Sequence, residues 1–112
     1  MNKEKTVSNS IGTQMRKGVL ELCTLSIISK KDAYASDIID TLKASNLIVV
    51  EGTLYPMLTR LKNEGLLSYR WEESTSGPPR KYYQLTTDGK ETLNKLKQSW
   101  EDLNKTVNQI IH

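Results

Sequence analysis

The stretch Glu51-Gly52-Thr53-Leu54-Tyr55-Pro56-Met57-Leu58-Thr59-Arg60-Leu61-Lys62-Asn63-Glu64-Gly65 decides the fold. Leu54, Met57 or Leu58, and Leu61 recur three or four residues apart, which predicts a helix over residues 52–64 with one apolar side. Gly65 follows as a residue able to take the left-handed turn at a helix C-terminus. With that side given to a core, Thr53, Tyr55, Pro56, Thr59, Arg60 and Lys62 are left largely outside. Pro56 is read as lying in the first turns, where its missing N–H loses no intrahelical bond.

Downstream the period changes. Leu67, Tyr69 and Trp71 alternate with Ser68, Arg70 and Glu72; a turn-rich segment spans 74–79; then Lys81, Tyr83 and Leu85 alternate with Tyr82 and Gln84. Period two on both sides of a turn predicts a β-hairpin, with Arg80 and Lys81 close to its tip and Pro78-Pro79 stiffening the approach. Thr86 or Thr87 can cap a last helix running to about residue 110. On it Leu93, Leu96, Trp100, Leu103, Val107 and Ile110 are spaced three, four, three, four and three apart. That is a heptad seam, the pattern of a helix meant for another helix, and these six residues are the expected dimer interface.

Upstream, Met15, Val19, Leu22 and Ile28, interleaved with Leu20, Cys23, Leu25 and Ile27, cover more than one face of a helix over residues 15–28. One side can face its own domain; the other asks for a partner, and a second copy of the chain would supply one. Ser36 is expected to cap a short helix carrying Ile38, Ile39 and Leu42, with Asp37 at the positive end of its dipole. Residues 47–50 are too short and apolar for a free linker and are read as an extended bridge into the next helix.

Length and composition bound the rest. The 112 residues, 37% hydrophobic and 26% charged, suit one domain, divided here into a polar tail at 1–12, a domain at 13–86 and a terminal helix at 87–112. No apolar run approaches the roughly 18 residues of a membrane span, and the polar N-terminus does not read as a secretion signal. No membrane contact and a cytoplasmic location are therefore expected. The single Cys23 and single, terminal His112 leave no internal disulfide and no zinc ligand set, so no metal or other cofactor is expected. Catalysis is not expected either: there is no glycine-rich phosphate loop, and Glu72-Glu73 and Glu101-Asp102 are adjacent, which points each pair apart. The net charge of +3 is only a weak sign of nucleic-acid binding, and position has to carry that argument.

Three helices followed by a hairpin is the order of a winged helix-turn-helix, an α+β and mostly α fold, here extended by a C-terminal dimerisation helix. Reading double-stranded DNA needs a helix that is apolar inside and carries donors outside. The helix at 52–64 meets that need, with Thr53 and Tyr55 able to reach base edges or phosphates, and Arg60 and Lys62 able to neutralise phosphate. Arg80 and Lys81 suit phosphate or minor-groove contact from the hairpin, and Ser36 at a helix N-terminus suits a phosphate. The alternative is a winged-helix protein–protein interaction module, in which the outer face of the same helix docks a protein.

The run Glu51-Gly52-Thr53-Leu54-Tyr55-Pro56, continuing as Leu58, Arg60-Leu61 and Glu64-Gly65-Leu66, resembles the signature of the PadR family of bacterial transcription regulators. The hairpin residues Gly77, Arg80-Lys81-Tyr82-Tyr83, Leu85-Thr86 and Gly89 are similar to that family in order and spacing. The resemblance runs from Met15 to the C-terminus and is to the compact subgroup with a single terminal helix. It implies a homodimeric repressor that binds an inverted-repeat operator and is released by a small-molecule effector. Multidrug-sensing members of that subgroup stack flat aromatic compounds on a tryptophan of the last helix, a position matched by Trp100. The same resemblance implies that Met15, Gly18, Leu22, Ser26 and Asn104 line the effector cavity. Read from the residues alone, Trp100 is a large side chain on a seam, which either fills a core or leaves a gap beside it. Ser36 and Asp37 depart from the residues common in the family, which bears on the second helix.

Overall fold

The computed structural model describes residues 3–112, the side chains of 3–14 and 17 excepted. Its elements are α1 (Lys3–Lys30), α2 (Ala35–Ala44), α3 (Glu51–Asn63), β1 (Leu67–Ser74), β2 (Gly77–Leu85) and α4 (Thr87–Ile111). The mostly helical class with one antiparallel hairpin agrees with the sequence reading. α1 starts well before Met15: residues 3–12, expected as a tail, continue the helix, and 1–2 lie outside the described residues.

The core follows from the helical spacing. Leu25 and Ile28 of α1, Ile38 and Leu42 of α2, and Leu54, Leu58 and Leu61 of α3 are buried together, closed by Leu67, Tyr83 and Leu93. Leu58 takes the deep position on α3, and Met57 packs at its margin. Asn46 turns left-handed at φ 63° after α2, where Leu47 N–H bonds back to the Leu42 carbonyl, and residues 47–50 then run extended into α3. Gly65, at φ 82°, makes the expected left-handed turn after α3.

Two local expectations are corrected. Ser36 does not cap α2; Tyr34 holds that position, and Asp37 Oδ2 accepts the Tyr34 N–H at 3.0 Å. The carboxylate three residues along thus satisfies the N–H of the cap residue itself, the reach-back half of a capping box. Pro56 lies inside α3, too far from its start to escape a loss: the carbonyl four residues back, on Gly52, receives no N–H from it.

Strands β1 and β2 pair from Leu67↔Leu85 through Glu72↔Arg80 to Ser74↔Gly77, with an irregularity between Glu72 and Ser74. Thr75-Ser76 form the tip, so Arg80 and Lys81 sit partway down β2 rather than at its end, opposite Glu72 and Trp71. The other edge of β2 is tied to the segment before α2: Ala33 N–H donates to the Tyr83 carbonyl at 3.0 Å, and Tyr83 N–H donates to that of Ala33 at 2.8 Å. This short bridge places Tyr34 beside the hairpin.

Among the described residues Thr24 is the buried polar side chain of the core, and its Oγ1 has no hydrogen-bond partner among them. A buried unpaired hydroxyl costs about 1–3 kcal/mol, whereas valine keeps the shape without the polar atom. Thr24→Val is expected to raise the melting temperature by several degrees, at about 4–8 °C per kcal/mol for a domain of this size. A lower melting temperature in the same scan would show that the hydroxyl is satisfied in solution.

Candidate nucleic-acid interface

The N-terminus of α2, the outer side of α3 and the hairpin enclose an open cleft of about 340 Å³. Its walls include Ser36, Tyr55, Thr59, Trp71, Arg80 and Lys81. Four of the seven residues expected to contact DNA, Ser36, Tyr55, Arg80 and Lys81, thus meet at one place. The other three lie outside it, two of them in adjoining grooves: Lys62 with Thr59 and Lys81, and Arg60 with Tyr55 and Thr59. Thr53 borders a second groove on the far side of α3 with Ile48 and Val50. Arg60 is bound by carboxylates of Glu21 at 3.1 Å and Glu64 at 3.2 Å, tying the end of α3 to α1. The Lys62 ammonium stands 6.0 Å from the Tyr69 ring.

The cations of the hairpin are held differently. Arg80 lies over the ring of Tyr34, its guanidinium carbon 3.9 Å from the centroid. The Lys81 ammonium lies 4.6 Å from the centroid of Tyr69 and 5.5 Å from that of Trp71. Alternation explains the second pair: Lys81 faces Trp71 across the strands and Tyr69 on the diagonal. Rings attract a cation without covering its donors, so both groups keep their N–H bonds for another partner. Burial, with a smaller effect of the neighbouring Tyr55 and Tyr69, holds the Tyr83 phenol above its usual range, and it stays neutral beneath the cleft.

Two outward residues were not among those expected. Trp71 is well exposed on the hairpin and lines the cleft, and Asn63 joins Tyr55, Pro56 and Thr59 along the open side of α3. Asn63 was legible: Gly52, Pro56, Thr59 and Asn63 share the side of a helical wheel opposite Leu54, Leu58 and Leu61.

The α4 residues divide. Leu93 is only 3% exposed and belongs to its own chain's core, and Leu96 packs beside it, so those two seam positions are already largely engaged. Beyond them Trp100 (43%), Leu103 (57%), Val107 and Ile110 (78%) are exposed. Of the residues expected around an effector, Leu22 and Ser26 are half-buried on α1, while Met15, Gly18, Trp100 and Asn104 are exposed. Cys23 is half-buried, and burial pushes its thiol up, so it stays protonated near neutral pH. No group of acidic, cysteine or histidine side chains that could hold a metal, and no helix long and apolar enough to cross a membrane, occurs among the described residues.

Three helices, a bridged hairpin and a cation-lined cleft at the outer face of the third helix define a winged helix-turn-helix protein. The model of the transcriptional regulator PadR-like family matches residues 24–95. The chain belongs to that family, and is a DNA-binding transcription regulator. Among solved structures, a PadR-like transcription factor of Bacteroides fragilis is 61% identical, covers 90% of this chain and 98% of its own, and superposes with a TM-score of 0.76. A PadR family regulator of Eggerthella lenta is 28% identical, with coverage of 97% and 96% and a TM-score of 0.90. One from Bacillus cereus is 41% identical, with coverage of 88% and 97% and a TM-score of 0.77.

Proposed function

We propose that the protein is a homodimeric repressor whose two winged domains bind an inverted-repeat operator in double-stranded DNA and release it when a small, flat effector binds. The cleft carries the DNA part of this reading: Arg80 and Lys81, held on rings and with no carboxylate partner among the described residues, flank Tyr55, Thr59 and Ser36 at the outer face of α3. α3 then enters the major groove while the hairpin cations meet the backbone beside it. Dimerisation is supported by the apolar stripe of Trp100, Leu103, Val107 and Ile110, which stays exposed in the single chain. Pairing of α4 helices sets the two α3 helices about 34–36 Å apart, one turn of the duplex.

An effector fits the same interface. Trp100, Asn104, Met15 and Gly18 are all exposed in one chain, so a cavity among them forms only between two copies. A compound stacked on Trp100 releases DNA if it binds better to a dimer whose α3 spacing misses the operator.

The test is a gel shift on the gene's own promoter fragment across a salt series. Affinity is expected to fall steeply with salt, and removing Arg80 and Lys81 together, by alanine, removes two cations per protomer. At about 0.9 units of log–log slope per phosphate contact, the slope of the dimer is expected to flatten by up to ~3.6. Affinity indifferent to salt would defeat the DNA reading, and an unchanged slope in the double variant would clear the hairpin of phosphate contact.

A further inference from the structure

Arg80 faces Glu72 directly across the hairpin, yet the two are not paired. The Glu72 carboxylate is taken by Arg70, whose Nε donates to Oε1 at 2.7 Å, and whose guanidinium also reaches Asp32 at 3.3 Å and the Gln84 amide oxygen at 3.4 Å. Arg80 rests instead on Tyr34, and that ring is backed by Tyr82 at a centroid distance of 4.8 Å. Tyr82 in turn lies against the guanidinium of Arg70, 4.4 Å from its carbon. The result is a continuous stack, Arg80–Tyr34–Tyr82–Arg70, fastened at its inner end by three polar groups and open at Arg80.

We propose that Tyr34 is the positioning residue for Arg80, and that Arg70 serves the same end by withdrawing Glu72 from it, so that the outer guanidinium meets a DNA phosphate without a carboxylate to displace and already oriented. The proposal rests on the DNA reading of the cleft given above. An arginine ion-paired to Glu72 would have to exchange one carboxylate for one phosphate, whereas a stacked arginine keeps its fork of donors turned outward and gives up less side-chain freedom on binding. The seat is fixed from the backbone as well: Ala33 is bridged to Tyr83, and the Tyr34 N–H is held by Asp37. Tyr34 therefore acts through Arg80 and need not touch DNA.

A double-mutant cycle on a duplex of the gene's own promoter separates this from a merely structural role. Tyr34→Leu is expected to weaken binding about tenfold across the two protomers when Arg80 is present, and to have little further effect in the Arg80→Ala background. Tyr34→Phe keeps the ring and is expected to bind within about twofold of the parent. Equal losses from Tyr34→Leu in both backgrounds, or a loss in Tyr34→Phe as large as in Tyr34→Leu, overturn the proposal. A second measurement needs no DNA: in the NMR spectrum of the free protein the Arg80 δ protons are expected upfield through the Tyr34 ring current, and to return towards ordinary values in Tyr34→Leu with the remaining core signals in place. An Arg80 signal without that displacement in the parent protein would mean the seat is not formed. Failure of the DNA reading itself has a different signature, since Arg80→Ala alone would then leave promoter binding unchanged while the ring-current displacement persists.

Discussion

Replacing Leu103 and Val107 by glutamate is expected to yield a folded monomer that no longer shifts operator DNA. Both side chains are exposed on α4, so the variant removes nothing from its own chain's core. Every residue of α4 beyond Leu96 is exposed, although the helix continues to Ile111. A free helical end of this kind is marginal in water, and a stripe of Trp100, Leu103, Val107 and Ile110 on it is what a helix partner would cover. In a two-fold dimer the substitutions place four carboxylates in the seam. Each buried, unpaired charge costs several kcal/mol, so a loss of three or more orders of magnitude in the dimer constant is a modest expectation. DNA binding should fall with it, since a lone winged domain reads one half-site and loses the second set of phosphate contacts. Sedimentation velocity and a gel shift on the same preparation check the result. A variant that still sediments as a dimer would place the interface elsewhere, and one that is monomeric yet binds the operator as tightly as its parent would remove dimerisation from the mechanism.

The elements that carry this argument were legible in the sequence to different degrees, for physical reasons. α3, β1, β2 and α4 are patterned by burial against a single core, and periods of 3.6 and two record that directly. The family signature added what periodicity does not contain, namely the class of regulator. α1 was placed too late because Val7 and Ile11 are the only apolar residues of 3–12, too few for a helical period to be read. The cap of α2 was misplaced because Tyr34 is not a capping residue by type; the bond that closes the helix start comes from Asp37. Leu93 was grouped with the dimer seam because a heptad cannot distinguish a helix of the same chain from that of a partner: α4 spends its first turns on α1 and β2 and only then runs free. Least visible was the company kept by Arg80. Its stack depends on strand register and on a two-bond bridge between Ala33 and Tyr83, fifty residues apart in the chain, and neither is written in local composition.

Gly89→Ala is expected to destabilise the fold markedly, although by helix propensity alone it should help. Gly89 sits in the first turn of α4, and alanine there favours the helix by about 1 kcal/mol. The opposing term is steric. A Cβ on Gly89 would fall inside the contact distance of the Leu66 carbonyl oxygen, 3.1 Å from its carbon and 3.3 Å from Leu85 Cδ2. Two of these three obstacles are backbone atoms, which cannot turn aside as a flexible side chain would. The same carbonyl accepts the Thr86 N–H at 3.1 Å, while Thr86 Oγ1 donates to the Gly65 carbonyl at 2.6 Å and accepts the Gly89 N–H at 3.0 Å. Making room for a methyl group therefore pulls the N-terminus of α4 off the turn that ends α3, and at least two of those bonds stretch or break. At about 1 kcal/mol per bond, with about 1–3 kcal/mol for the overpacking, the loss outweighs the propensity gain by about 2–4 kcal/mol. That is a large share of the roughly 5–15 kcal/mol by which a typical domain is stable, and it corresponds to a fall in melting temperature of roughly 8–30 °C. Gly52→Ala is the control: a Cβ at that position meets nothing within 4 Å, so only the propensity gain remains and it should melt at or a few degrees above the parent. If Gly89→Ala melts with the parent as well, the α3–α4 junction gives way at little cost, and the contact between recognition helix and dimer helix is a loose one through which movement of α4 would pass only weakly to α3.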